Sequence, residues 1–386
     1  MIRRAGVTLA AVALVATACS SSSKLSTANR VTTTTAVPTA EHAAFAKTGP
    51  YAVGYTTMHL SGGRRVVIWY PAKPHTTNGL PQETIDIASF LSPALQAKIP
   101  ASDRVLYKTN AYAGATPATK PGNYPLVIFS HGFAGYPEQS VSLTTHLASW
   151  GFVVAAPDHV ERSLDGLLGT GAQGVPHMTD LAVLQATTDL VLAAAKQPGV
   201  LSGLVNPAQI VAAGHSAGAG AAYQFASADP RVKAWISYSV GFGGQAGPAP
   251  AAPNKPGMVM LGTKDGIIPP AASVTVYNGM HTPKYLVKVG DAGHLVFSDI
   301  CLIGASKGGV VGIAKAIKLP IPPNLLKLGS DGCTKDHPPV TNAFPAIDHL
   351  SVAFFRSALG IDVTPIGLDT NSVQPLGGNV TVTSSS

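Results

Sequence analysis

Residues 125–130 read Pro-Leu-Val-Ile-Phe-Ser. They are apolar without alternation, the pattern of a central strand buried on both faces of a parallel sheet. Residues 152–156, 210–214, 232–239, 258–262 and 285–289 carry comparable short apolar runs. Between them, 138–150, 178–196, 218–228, 270–280 and 342–359 space their apolar residues as helices do. This alternation predicts an α/β fold: one domain with a mostly parallel central sheet covered by helices on both faces. Ahead of it, 51–58 and 65–71 alternate apolar and polar positions and predict antiparallel strands. Residues 72–123 are rich in Pro, Gly and Asn, with a helical pattern only near 87–99. The polar, β-branched stretch 361–386 reads as a C-terminal tail, and no internal repeat is visible.

One junction in this pattern carries candidate chemistry. The apolar run at 210–213 meets Gly214-His215-Ser216-Ala217-Gly218, and small residues then lead into a helix. Strand, G-x-S-x-G and helix together predict a nucleophile elbow, which lifts the Ser216 hydroxyl above the strand end. The turn strains the serine backbone and crowds its neighbours, so glycine is needed on both sides. The Ala217 amide, at the helix start, is then free to bind an oxyanion. A dinucleotide fingerprint at Gly218-Ala219-Gly220 fails, because Tyr223 stands where the third glycine belongs.

A serine hydroxyl needs a base, and the base an orienting acid, in the chain order Ser, acid, His. Downstream acids are Asp229, Asp265, Asp291 and Asp299. Asp265 is favoured because it opens a turn just past the apolar run 258–262, where such a sheet presents functional groups. Asp291 lies too near the favoured histidine. Of His281, His294, His337 and His349, only His294 follows a strand through a Gly-rich turn, Gly290-Asp291-Ala292-Gly293. His349 falls within the closing helix and reads as packing; His337 sits in a Pro-rich loop. The second oxyanion donor is expected from His131-Gly132-Phe133, at the Phe133 amide, with His131 bracing that loop.

From about residue 51 to 359 the chain resembles the Ser-dependent branch of the dienelactone-hydrolase-like and platelet-activating-factor-acetylhydrolase-like α/β hydrolases. Bacterial cutinase-type polyester hydrolases are more distant cousins. The resemblance rests on Pro125 to Phe133, on Gly151 to His159 with Glu161-Arg162-Ser163 after it, and on the elbow. Gly262-Thr263-Lys264-Asp265 and the segment His294 to Cys301 complete it. It departs from dienelactone hydrolases proper in having Ser216 where they use cysteine. It departs from polyester hydrolases in Ala217, where methionine is typical, and in Ser239-Val240-Gly241-Phe242, which replaces a Thr-Pro-Trp-type turn.

Composition adds an address. Charged residues are 12% and apolar ones 46%, against about 25% charged in an average protein. The net charge of +7 includes no basic block interleaved with aromatics, which argues against a nucleic-acid partner. Arg3-Arg4 followed by a short apolar core predicts a signal peptide over 1–18. Ala16-Thr17-Ala18-Cys19 resembles a lipobox with Cys19 as the lipidated residue; the alternative is cleavage after Ala18 with Cys19 a free thiol. Residues 19–45 then read as a Ser/Thr-rich tether, and 46–360 as the hydrolase domain. Cys301 and Cys333 form an even pair in an oxidising compartment. They are expected to be a disulfide closing an insertion over 301–333, the alternative being two unpaired cysteines. Within it Val310, Ile313, Ala314 and Ile317 share one helical face flanked by Lys307, Lys315 and Lys318. That face fits a helix packed on the domain, a lid over an acyl site, or a membrane-surface contact.

The expectation is an exported, monomeric serine esterase: Ser216 nucleophile, His294 base, Asp265 orienting acid, Phe133 and Ala217 amides for the oxyanion. Its partners would be a small-molecule or lipid ester and, through a lipid anchor, a membrane. No cofactor is called for, and neither H-E-x-x-H nor paired C-x-x-C spacing suggests a metal. An acyltransferase or amidase would use the same triad, and a non-catalytic surface lipoprotein could share the fold.

Overall fold

The computed structural model describes residues 42–243, 248–319 and 321–386. The expected signal peptide, Cys19 and most of the tether lie outside the described residues. The tether's expected end is corrected: Phe45, placed in it from sequence, is buried, its ring 4.9 Å from that of Trp150.

The strands are β1 (Ala52–His59), β2 (Arg65–Ala72), β3 (Gln82–Asp86), β4 (Leu106–Ala113), β5 (Tyr124–Ser130) and β6 (Val153–Pro157). They continue as β7 (Val205–His215), β8 (Val232–Tyr238), β9 (Gly257–Gly262), β10 (Lys284–Val289) and β11 (Val380–Ser385). All join one sheet in the order β11-β10-β9-β8-β7-β5-β6-β2-β1-β4-β3. The run from β6 through β5 to β10 is parallel, and β2, β1 and β11 add antiparallel neighbours.

Successive residues of a strand face opposite sides, and the core divides accordingly. Val127, Phe129, Val211 and Ala213 pack with Leu147 of α1 (Val141–Ser149) and Leu350 and Phe354 of α8 (Phe344–Ala358). Leu126, Ile128, Ile210 and Ala212 pack on the other face. There they meet Val183 of α3 (Asp180–Ala194), Ala222 and Phe225 of α4 (Ala217–Ala228) and Val276 of α5 (Pro270–Asn278). The short α2 (Leu164–Leu168) and α7 (Pro323–Leu328) lie outside these two layers, and α6 (Gly309–Ala316) touches the first of them through Val310.

The structure departs from the sequence pattern at the edges. The pattern misses β3 and β4, whose residues are largely polar and alternately exposed. The helix expected near 87–99 is broken into Ile87–Phe90 and Pro93–Gln96, because Pro93 has no N–H to continue a helix. The supposed tail is corrected too: β11 pairs antiparallel with β10 along its whole length, from Lys284↔Ser385 to Val289↔Val380. A Thr- and Ser-rich strand with little buried surface pairs through its backbone at an edge, and leaves no apolar signature.

Cys301 and Cys333 are joined, closing a segment with a sequence separation of 32 that contains α6 and α7. A cross-link over such a loop restricts the unfolded chain, worth roughly 3–4 kcal/mol. The Cys301→Ser/Cys333→Ser protein should therefore lose about that much stability in urea unfolding. A loss below about 1 kcal/mol would show that the segment holds its shape without the bridge.

Candidate active site

The G-x-S-x-G turn has the expected strain. Ser216 sits between β7 and α4 at φ 59°, ψ −120°, a region that non-glycine residues enter only when their surroundings force them. Both glycines are sterically required. A Cβ on Gly214 would lie 2.1 Å from the Gly218 carbonyl oxygen, and one on Gly218 would lie 2.0 Å from that of Ser130. The Ser216 amide donates to the Tyr238 carbonyl at 2.9 Å, tying the turn to β8.

Across the sheet end, His294 Nδ1–H donates to Asp265 Oδ2 at 2.8 Å. The other carboxylate oxygen, Oδ1, accepts from the amides of Ile267 and Ile268 at 2.9 and 2.8 Å. Burial pushes the Asp265 carboxyl up, but the His294 hydrogen bond and charge and these two amides outweigh it, and the net shift is downward. An ionised Asp265 fixes His294 as the Nδ1–H tautomer. The His294 Nε2 lone pair is left buried and without a hydrogen-bond partner among the described residues. It lines the same cavity as Ser216. No hydrogen bond joins the His294 and Ser216 side chains.

Two positioning groups that the sequence did not reveal hold the histidine loop. Asp331 Oδ1 accepts from the His294 amide at 2.6 Å and from the Gly266 amide at 3.3 Å. Its carbonyl accepts from Leu295 at 3.0 Å. One residue of the disulfide-closed segment thus bridges the Asp265 and His294 turns. Gly293 is needed for that contact, since a Cβ there would meet the Gly332 amide nitrogen at 2.5 Å. The second group is a relay through His215, the residue before Ser216. The Gly132 amide donates to Gln139 Oε1 at 2.9 Å, Gln139 Nε2 donates to His215 Nδ1 at 2.8 Å, and His215 Nε2 donates to the His294 carbonyl at 3.0 Å. Burial, aided by neighbouring His294, pushes the His215 imidazole down to about 3, so it stays neutral and this donor–acceptor pattern persists.

The loop after β5 is held from below by Arg162, buried and paired through Nε with Asp180 at 3.1 Å. Its Nη1 donates to the carbonyls of His131 and Gly132, the latter at 2.9 Å, and Nη2 donates to Ser130 Oγ at 2.9 Å. The Gly132–Phe133 peptide is planar and trans, so its N–H points opposite to its C=O. Gripping the Gly132 oxygen therefore turns the Phe133 amide away from Arg162. Neither Phe133 N–H nor Ala217 N–H donates to an acceptor among the described residues. Gly132 lies against Ser216, 3.3 Å from a Cβ built on it to that of the serine. His131 is fully buried: Nδ1–H donates to the Gly132 carbonyl, and Nε2 accepts from the His159 amide.

The other sequence candidates sit elsewhere. Asp229 pairs with Arg231 at 2.6 Å, and Asp291 is exposed and pairs with Lys264 at 2.9 Å. Asp299 is buried beneath Tyr107 and Ser142. His349 bridges the Phe45 amide and the Gly367 carbonyl, and His337 donates to the Asp291 carbonyl. Arg162 belonged to a motif that carried the family resemblance; Asp331 and Gln139 had no sequence signal, Asp331 because its partners are backbone amides far along the chain, and Gln139 because it joins a nearby backbone amide to a distant imidazole.

Comparisons with known proteins agree with the fold. Residues 39–165 match the family of platelet-activating factor acetylhydrolase, isoform II, and residues 110–294 match the dienelactone hydrolase family. The second match spans Ser216, Asp265 and His294. The solved structure of a ferulic acid esterase from Streptomyces cinnamoneus is similar in fold, with a TM-score of 0.58 at 23% identity, over 87% of this chain and 97% of that one.

If Asp331 positions His294, Asp331→Ala should lower kcat on p-nitrophenyl acetate by roughly 10–100-fold, the cost of a small misplacement of a reacting group. Asp331→Asn keeps an oxygen acceptor and should recover most of the loss. Equal defects in both variants, or a change in KM alone, would exclude the positioning role.

Proposed function

We propose that this chain, an α/β hydrolase of the dienelactone-hydrolase-like and platelet-activating-factor-acetylhydrolase-like group, is a serine-dependent carboxylic ester hydrolase. The observation that carries the reading is the unpartnered Nε2 of His294, buried beside Ser216 with the ring's other nitrogen held by Asp265. A group so arranged is a base awaiting a proton.

The steps follow from the arrangement. Ser216 Oγ attacks the ester carbonyl as its proton passes to His294 Nε2, and Asp265 stabilises the imidazolium. The carbonyl oxygen, now an oxyanion, accepts from the Phe133 and Ala217 amides, which are fixed in place before the reaction begins. Collapse expels the alcohol, which takes the proton back from His294. Water then attacks the acyl-Ser216 ester with His294 again as base, releasing the carboxylic acid and the free serine. Arg162 and Asp331 make no contact with substrate in this scheme; together with Gln139 and His215, which border the cavity, they hold the groups that react.

The same reading takes the chain to be exported and anchored through Cys19. The Cys301–Cys333 bridge supports an oxidising compartment. Changing Cys19 to Ala should then move the protein from the membrane fraction to the soluble one. Equal partition of both forms would argue against the anchor.

Ser216→Ala should lose at least about 10³-fold in ester hydrolysis with unchanged circular dichroism. It should also lose labelling by a fluorophosphonate. Asp265→Asn favours the wrong His294 tautomer and should cost up to about 10⁴-fold in kcat, while Asp291→Asn should be near-silent. Full turnover by Ser216→Ala would falsify the assignment.

A further inference from the structure

We propose that the cavity beside Ser216 is a channel for an unbranched aliphatic chain of the ester, with the disulfide-closed segment as one wall. This rests on the ester-hydrolase reading of Ser216. The cavity, of about 180 Å³, begins at Ser216 and His294 and is bounded by aliphatic side chains from separate elements. Leu164 and Leu168 come from α2, Ile313 and Ala314 from α6, and Leu325 and Leu326 from α7. Such a wall recognises its ligand by displacing water from apolar surface, and it has no directional contact to offer a polar group.

Charge at the margin supports the same occupant. Arg104 and Asp103 are the charged side chains that border the cavity, and both are engaged. Arg104 faces Asp86 at 3.4 Å, and Asp103 faces Lys307 at 3.2 Å. Neither cation is free to hold a carboxylate or phosphate head group. The volume is below the roughly 300–1,000 Å³ of sites that enclose drug-sized ligands, so the group it takes is a small one. At the surface, Phe133 and Leu167 both line the cavity while 44% and 41% exposed. The approach to the channel is therefore apolar as well.

The wall is attached to the chemistry. Cys301 lies one short turn beyond His294, and Asp331, two residues before Cys333, holds the His294 amide. Lys315 lies exposed on α6 while Ala314 is buried, so the helix turns its aliphatic face inward. The amphipathic pattern of this segment is thereby used to shape a binding surface beside the nucleophile.

Each buried methylene is worth about 0.8 kcal/mol, or about fourfold in kcat/KM. With the full-length protein and monomeric p-nitrophenyl esters below their critical micelle concentrations, kcat/KM should rise on the order of 10³-fold from acetate to octanoate when the added methylenes are buried. A parallel series of ethyl and octyl acetate tells whether the acyl or the alcohol chain is accommodated; a rise in either supports the channel. Ala314→Phe should move the optimum to a shorter chain, and Ile313→Ser should lower the favoured octyl or octanoyl ester at least about tenfold more than acetate. The channel is overturned by flat profiles in both series while Ser216→Ala is inactive, by p-nitrophenyl benzoate outrunning octanoate, or by a rise that both variants leave untouched. An active Ser216→Ala protein would instead overturn the ester-hydrolase reading beneath it.

Discussion

The backbone of Gly218 lies so close to the end of β5 that a single methyl group there would come within 2.0 Å of the Ser130 carbonyl. That contact joins the elbow to the strand that launches the loop of Gly132 and Phe133. Because α4 begins against β5, Ser216 is delivered against Gly132. Ser216 keeps its strained φ of 59° with its amide tied to the Tyr238 carbonyl and with glycines at 214 and 218, where any Cβ would clash with backbone. Closely packed backbone does here what no side-chain contact could do as rigidly.

Around this contact the polar groups form a set in which most members are satisfied by named partners. Arg162 is a buried cation, and burying a charge is costly unless it is paired and hydrogen-bonded. Asp180 balances it, and three oxygens of the Ser130–Gly132 stretch accept from it. The desolvation cost is thus spent on aiming one peptide plane. Gln139 and His215 connect that loop to the carbonyl of His294, so the nucleophile's neighbour touches both halves of the site. The unpartnered polar atom that matters for chemistry is His294 Nε2. Under the proposed mechanism, this open buried acceptor is where the serine proton goes.

The disulfide-closed segment combines two tasks that are separate in their physics. Through Asp331 it makes directional bonds to the turns carrying Asp265 and His294. Through α6 and α7 it supplies non-directional apolar surface to the cavity. The cross-link matters to both, because a segment built of short helices and glycines has little core of its own to hold it in place.

The sequence by itself determined the central strands, the elbow, and the order of Ser216, Asp265 and His294. Those features are local: a buried parallel strand must be apolar throughout, and a G-x-S-x-G turn needs its glycines whatever lies elsewhere. Asp265 and His294 were legible because each follows such a strand within a few residues. Only the tertiary structure decided the roles of Arg162, Gln139 and Asp331, whose partners are mostly backbone carbonyls and amides that carry no residue identity. It also decided the edges, where β3, β4 and β11 pair through backbone with little apolar surface and so leave no periodic trace. The amphipathic face around Ile313 was visible in the chain, but amphipathicity states only that a face is covered. That it lines a cavity at Ser216 depends on where the chain between Cys301 and Cys333 is folded back, a long-range fact no local pattern encodes.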